Sequence, residues 1–119
     1  MPHVIKNVRL FILGEPQNRL VETIFKELEC QEEQTKTIIG LILEDIKLFD
    51  KKQHDYGPGN IAKFGVQGVL VRTNDKLERL INLYRNDRNP ENESIEDTWQ
   101  DLSVYGVIAR AVLKEQWSQ

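Results

Sequence analysis

Cysteine is nearly absent from this chain of 119 residues, which contains Cys30 alone. A single cysteine excludes an internal disulfide bond and a zinc site built from several thiolates, and it fits a reducing compartment. Long apolar runs are also missing, and none approaches the ~20 residues that a transmembrane helix requires. We therefore expect a cytoplasmic protein with no membrane span.

An excess of positive charge is missing as well. The chain has 16 Lys and Arg against 19 Asp and Glu, which gives a formal net charge of −3. Without an overall basic field, neither a nucleic acid polymer nor an anionic membrane is an expected partner. The sequence also lacks internal repeats, low-complexity segments and linkers, so we expect a single domain over residues 1–119.

What the sequence does contain is apolar residues at helical spacing. Helices are predicted over about 17–29, 34–53, 72–85 and 91–114, with a short helix and an apolar connection over 60–71. The predicted core faces are Leu20, Ile24 and Leu28; Ile38, Leu41, Ile42, Leu48 and Phe49; Leu77, Leu80, Ile81 and Tyr84; and Val104, Ile108 and Val112. Gly65 and Gly68 indicate a bend or a close backbone approach. The pattern predicts an all-α fold, a compact bundle of four or five helices with a short irregular or extended N-terminal arm.

Carboxylates occur on these apolar faces. At ~100° per residue, Asp97 and Asp101 fall on the core-facing arc of the last helix, with Glu93 at its edge. Asp45 falls in the middle of the arc of the second predicted helix, with Glu44 at its edge. A carboxylate is rarely buried without a partner, so a cation is expected between them. These five residues are candidate ligands for Mg²⁺, with Mn²⁺ as the alternative ion.

Cationic residues accompany the acids. Lys52 lies two turns after Asp45 at nearly the same angle, and Arg72, Asp75, Lys76 and Arg79 lie within ~100° of arc on another helix. Lys and Arg beside metal-binding carboxylates are typical of sites that handle phosphate.

Structural roles are possible for some of these residues. Asp97 is also the expected third residue of a capping box with Ser94. Asp75 and Arg79 have the spacing of a surface ion pair on one helix. Asp45 and Lys52 could form an internal ion pair that fixes packing.

Several segments occur in an order that resembles a known family. They are Lys52–Gly57, Gly59–Ile61, Gly65, Arg72–Lys76, Arg79–Leu83 and Glu93–Thr98, followed by Asp101, Leu102 and Tyr105. The resemblance is to the phage and bacterial nucleotide-modification-associated domain, within the all-α NTP pyrophosphohydrolases of the MazG-like and dimeric dUTPase superfamily. It covers about residues 44–113.

The resemblance implies Mg²⁺-dependent hydrolysis of a nucleoside or deoxynucleoside triphosphate to monophosphate and pyrophosphate, in phage nucleotide metabolism within a host cytoplasm. We also expect a homodimer or homotetramer, because a bundle of this size seldom encloses a nucleotide alone and because the apolar arm Val8–Leu13 and Trp117 are surface that a single chain would struggle to hide. The carried-over catalytic residues are Asp97, Asp101, Lys52 and Arg79, and the substrate-binding residues are Asp55, Tyr56, Asn60, Arg72, Asp75 and Lys76.

The chain departs from the superfamily in its acids. The superfamily usually has an ExxE pair on one helix and an ExxD pair on another, whereas this chain has Glu44-Asp45, and Glu93, Asp97 and Asp101 at four-residue spacing. An alternative function is therefore a non-catalytic protein that sequesters a signalling or modified nucleotide.

Overall fold

The computed structural model describes the backbone of residues 15–118 and the side chains of residues 17–118. This part of the chain forms four helices: α1 (Glu15–Glu27), α2 (Thr35–Tyr56), α3 (Gly59–Arg85) and α4 (Ile95–Leu113). It contains no strand, which confirms the predicted all-α class. The predicted N-terminal arm lies outside the described residues. No helix within residues 15–118 is long and apolar enough to cross a membrane.

The chain divides into two compact units, Met1–Lys47 and Leu48–Gln119, and α2 continues across the division. In the first unit, Val21 of α1 and Ile39 of α2 are buried against Ile24, Phe25 and Leu43. The single domain over residues 1–119 stays a prediction.

The buried faces of α1 and α2 differ from the predicted ones. Leu20 and Leu28 are exposed, and Ile38 and Ile42 are about half exposed, whereas Val21 and Ile39 are buried. The centre of each buried face therefore lies one residue later than predicted. Apolar periodicity defines an arc of more than ~100°, and the packed neighbour decides which part of that arc is covered.

In the second unit, α3 packs along α4. Ile61 and Val69 of α3 and Ile108 of α4 form its buried core. Partly buried residues surround them: Phe49, Val104, Tyr105, Ala109, Val112 and Trp117. The Trp117 indole N–H donates to the Pro58 carbonyl oxygen at 3.0 Å, which fastens the C-terminal segment to the α2–α3 loop.

Gly65 bends α3. Its φ of 63° and ψ of −156° are non-helical and essentially restricted to glycine. The predicted bend is confirmed, but residues beyond it are helical, so the prediction of an apolar connection there is wrong. At Gly68, an added Cβ would lie 2.6 Å from Phe64 Cβ, which confirms the predicted close approach.

The last helix begins at a defined cap. The Ser94 hydroxyl oxygen accepts a hydrogen bond from the Asp97 backbone N–H at 3.0 Å, and α4 starts at Ile95. Glu96 and Asp97 occupy its first turn, where negative charge interacts favourably with the helix dipole.

Candidate functional site

A buried carboxylate joins three helical segments of the second unit. Asp101 of α4 is only 6% exposed. Its Oδ1 lies 3.1 Å from Nζ of Lys52 on α2, and its Oδ2 lies 2.8 Å from Nζ of Lys76 on α3. Each carboxylate oxygen thus has a lysine of its own.

Lys76 extends this arrangement into a network. It also donates to both carboxylate oxygens of Glu93, at 2.9 and 3.0 Å. The fully buried Thr98 hydroxyl donates to Glu93 Oε2 at 2.6 Å and accepts from Arg79 Nη1 at 2.5 Å. Arg79 also donates to the backbone carbonyl oxygen of Glu93. The network therefore fixes the segment that leads into α4.

The network keeps its central groups charged. Burial by itself would raise the pKa of Asp101, but hydrogen bonds from Lys76 and Lys52 outweigh it and hold that pKa below its ordinary value. Burial by itself would lower the pKa of Lys76, and its hydrogen bonds to Asp101 and Glu93 instead raise that pKa. At neutral pH the carboxylate and the ammonium are both ionised.

A pocket of about 150 Å³ adjoins Asp101 within the second unit. Its polar wall consists of Lys52, Gln53, Asn60, Arg72 and Asp101, and its aromatic wall consists of Phe49, Tyr56 and Tyr105. Half-buried Arg72 has no hydrogen-bond or ion-pair partner within residues 17–118. An unpaired guanidinium in a pocket wall is suited to an anionic ligand.

The structure brings together many of the predicted site residues. Five of them line the pocket: Lys52, Tyr56, Asn60, Arg72 and Asp101. Three others belong to the network behind it: Lys76, Arg79 and Glu93. In the second unit, cations from two helices, Lys52 and Lys76, surround the inward-facing Asp101.

Three predicted site residues are placed elsewhere. Asp97 is exposed in the first turn of α4, so the prediction that it faces the interior is wrong. Its backbone N–H is capped by Ser94, as the structural alternative requires.

Asp55 is exposed and contacts His54 at 3.2 Å. Asp75 is exposed and has no partner among residues 17–118, since Arg79 bonds to Thr98 and Glu93 instead. Helical angle alone does not predict which neighbour stands beside each turn.

The candidate ligands on α2 lie in the first unit. Glu44 and Asp45 are partly buried there, and each has an interaction of its own. Lys52, considered above as a partner for Asp45, pairs with Asp101. A metal-binding role for Glu44 and Asp45 stays a prediction.

The donor set does not fit a shared magnesium ion. Within the described part of the chain, no three Asp, Glu, His or Cys side chains are grouped so as to hold a metal. Mg²⁺ prefers several oxygen ligands in octahedral geometry, and both oxygens of Asp101 are already engaged by ammonium groups. Lys76 lies between Asp101 and Glu93 and supplies a positive charge to both acids.

Some of the site residues were not predicted from the sequence. Thr98 links Arg79 to Glu93, and Phe49, Gln53 and Tyr105 line the pocket. The α4 positions that face inward are Thr98, Asp101, Tyr105 and Ile108. Their spacings of three, four and three residues are helical, so a polar Thr98 on this arc was recognisable in principle.

Comparisons with protein-family models, with curated proteins and with solved structures found no match to this chain. Membership of the nucleotide-modification-associated family therefore stays a prediction from the quoted segments.

Proposed function

We propose that the second unit binds a nucleotide or a nucleotide-derived anion in the pocket beside Asp101, and that it does so without a metal ion. Lys52 and Arg72 contact the phosphate, and the aromatic wall contacts the sugar or base. The observation that carries this proposal is the guanidinium of Arg72, which has no partner among residues 17–118 and lies in a pocket wall that also contains the Lys52 ammonium.

Charge supports a phosphate ligand. A partly buried charge without a partner is unfavourable, and a bound anion removes that penalty. Arginine offers five N–H donors in a planar arrangement that matches phosphate oxygens, and lysine adds a compact positive charge. Asn60 supplies a neutral amide in the same wall.

The aromatic wall supports the nucleotide part of the ligand. Tyr56 is 75% exposed and lines the pocket together with Phe49 and Tyr105. Aromatic side chains stack on any base, because every base has a π face. A pocket lined by both cations and aromatic rings thus accommodates phosphate and base together.

Mg²⁺-dependent hydrolysis of a nucleoside triphosphate is the second candidate function. The position of an ionised carboxylate, Asp101, in the pocket wall favours it. The two lysines on that carboxylate favour binding without turnover, since they occupy the oxygens that a metal needs. Sequestration is therefore our first choice.

The test measures binding and turnover in parallel. Ribonucleoside and deoxyribonucleoside mono-, di- and triphosphates are titrated by calorimetry in EDTA and in Mg²⁺, while pyrophosphate and monophosphate release are followed. We expect binding in EDTA, which is lost in a Lys52→Gln/Arg72→Gln variant.

The matched control is Lys51→Gln/Arg85→Gln. It removes the same charges from exposed positions outside the pocket wall, and it should bind as wild type does. Absence of nucleotide binding under every condition contradicts the proposal. Mg²⁺-dependent pyrophosphate release establishes the second candidate instead.

We also propose that the chain forms a homodimer or homotetramer. Several large apolar side chains at helical spacing remain exposed in α3 and α4, including Leu70, Leu77, Tyr84, Trp99 and Val107. Exposed apolar residues that lie close together are typical of protein interfaces. Trp117 does not contribute, because it is partly buried against Phe49.

A further inference from the structure

The ion-pair network and the pocket wall together contain more positive than negative charge. Three cations, Lys52, Lys76 and Arg79, share two carboxylates, Asp101 and Glu93. This leaves one positive charge in surplus. Arg72, which has no partner in the described part of the chain, adds a second one in the pocket wall. The surplus of two positive charges is available to a ligand.

Lys52 is the network cation that is able to turn toward a ligand. Its side chain is 51% exposed, whereas that of Asp101 is 7% exposed. If Lys52 leaves Oδ1, Asp101 still keeps Lys76 on Oδ2 at 2.8 Å. The carboxylate therefore does not become a buried charge without a partner, which is the costly alternative. Lys76 does not line the pocket, so it stays with the acids.

A dianion is the ligand that matches this surplus. A phosphate monoester carries about −1.5 to −2 charges at pH 7, so Lys52 and Arg72 balance it without a metal. A free triphosphate adds two further phosphoryl groups, whose negative charges meet no additional cation in the pocket wall. The wall also contains Asp101, whose negative charge repels a triphosphate more strongly than a monophosphate.

The size of the pocket agrees with a single phosphoryl group. Its volume of about 150 Å³ is below the ~300–1,000 Å³ of pockets that enclose a whole drug-sized ligand. A phosphoryl group and part of the attached sugar occupy this space, and the base lies toward the exposed ring of Tyr56.

From these observations we infer that the site is selective for a phosphate monoester dianion, as carried by a nucleoside 5′-monophosphate, over the free triphosphate. Lys52 exchanges its contact with Asp101 for one with the phosphate, while Lys76 holds the carboxylate. This inference rests on the proposed function of the pocket as a nucleotide site.

The first experiment compares ligands by calorimetry in EDTA. The probes are the four deoxynucleoside 5′-monophosphates, the matching triphosphates, the 3′,5′-cyclic monophosphates, the nucleosides, ribose 5-phosphate and inorganic phosphate. We expect a 5′-monophosphate to bind at least about tenfold more tightly than its triphosphate and than its monoanionic cyclic counterpart. A tenfold difference in affinity corresponds to about one charge-assisted contact.

The remaining probes identify the source of the phosphate. Tighter binding of a nucleoside monophosphate than of ribose 5-phosphate or inorganic phosphate supports a nucleotide ligand. Equal binding of all three supports the dianion inference but contradicts the nucleotide part of the proposed function. Triphosphate affinity should rise on adding Mg²⁺, because the metal neutralises its excess charge. A free triphosphate that binds as tightly as the monophosphate in EDTA overturns the inference and leaves the proposed function standing.

The second experiment tests the exchange of Lys52. Asp101→Asn removes the anion that competes for Lys52, so its affinity for the 5′-monophosphate should rise severalfold. Lys76→Gln leaves Lys52 as the only partner of Asp101, so affinity should fall although Lys76 lies outside the pocket wall. A Lys76→Gln/Asp101→Asn variant should recover it.

Tryptophan fluorescence at low temperature verifies that each variant is folded before titration. Asp101→Asn alone is sufficient if the Lys76 variants do not fold. Weaker monophosphate binding by a folded Asp101→Asn protein contradicts the exchange. A loss of binding that is confined to titrations in Mg²⁺ would instead indicate that Asp101 is a metal ligand, which also contradicts the exchange.

Discussion

The ammonium of Lys76 lies 2.8 Å from Oδ2 of Asp101, and the same nitrogen lies 2.9 Å from Oε1 of Glu93. Lys76 of α3 thus joins two acids, Asp101 on α4 and Glu93 in the segment that precedes α4. Such a lysine performs the electrostatic role that a divalent cation has in a metal site. The network supplies both the stability of the α3–α4 pair and the charge pattern of the pocket.

Asp101→Asn should destabilise the protein by about 2–3 kcal/mol at neutral pH, since it weakens two charge-assisted hydrogen bonds of a buried group. Because the pKa of Asp101 is lowered on folding, its contribution is present above the ordinary carboxyl pKa of ~3.9 and is lost as pH falls through the lower folded value. Urea denaturation from pH 7 down to pH 2 should therefore show a shallower acid loss in the variant. An unchanged acid profile contradicts this role.

At alkaline pH the free energy of unfolding should change with pH in the opposite direction. The pKa of Lys76 is raised on folding, so its contribution is complete below ~10.4 and is lost as pH rises through the folded value. Between the ordinary carboxyl pKa and the ordinary lysine pKa, the contribution of the Asp101–Lys76 pair to the free energy of unfolding should vary little with pH. Urea denaturation carried to pH 11 checks this. Lys76→Gln should lack this loss of stability at high pH, and the control Lys51→Gln should retain it.

Thr98 offers a test of the buried hydroxyl. Thr98→Val keeps the shape but leaves Arg79 and Glu93 without the hydroxyl that joins them, so we expect a loss of about 2–3 kcal/mol. Thr98→Ser keeps the hydroxyl and removes one methyl group, which should cost only about 1 kcal/mol. Chemical denaturation measures both. If serine is the more damaging substitution, the Thr98 side chain contributes to stability mainly through packing rather than through hydrogen bonding.

The sequence was sufficient for three of the four described helices and for about half of the site. Periodicity located α1, α2 and α4 within a few residues, because apolar spacing is a local feature. It divided α3 into a short helix, an apolar connection and a second helix, whereas the structure has one bent helix over Gly59–Arg85. Asp101 and Lys52 were recognised as inward-facing charges from the same local spacing. Asp97 was misplaced because a helical angle does not show that a side chain stands in the first turn, where solvent is near. Thr98 was overlooked because its role depends on Arg79, a partner that only tertiary packing supplies.

Gly65 should tolerate substitution poorly because of its backbone conformation. Its φ of 63° and ψ of −156° lie in a region that disfavours any Cβ, so Gly65→Ala should destabilise by about 1–3 kcal/mol. Gly106→Ala is the matched control, because an added Cβ there meets no atom within 4 Å, and it should stabilise α4 by about 0.5–1 kcal/mol. Thermal unfolding of the two variants checks both signs. If Gly65→Ala is tolerated as well as Gly106→Ala, the bend at Gly65 accommodates a Cβ without strain.

The last prediction concerns assembly through α3. Leu70, Leu77 and Tyr84 recur every seven residues and are all largely exposed, and the Trp99 indole N–H donates to the Tyr84 hydroxyl at 3.4 Å. A seven-residue apolar repeat on one helix is typical of a helix–helix contact. We therefore expect a solution mass at micromolar concentration well above the 13.9 kDa of one chain. Leu77→Glu places a charge in the middle of this repeat and should shift the mass toward a single chain. Leu113→Glu makes the same chemical change at the exposed end of α4 and should leave the mass unaltered. Sedimentation equilibrium distinguishes these outcomes, and a wild-type protein that sediments as a single chain contradicts the proposed oligomer.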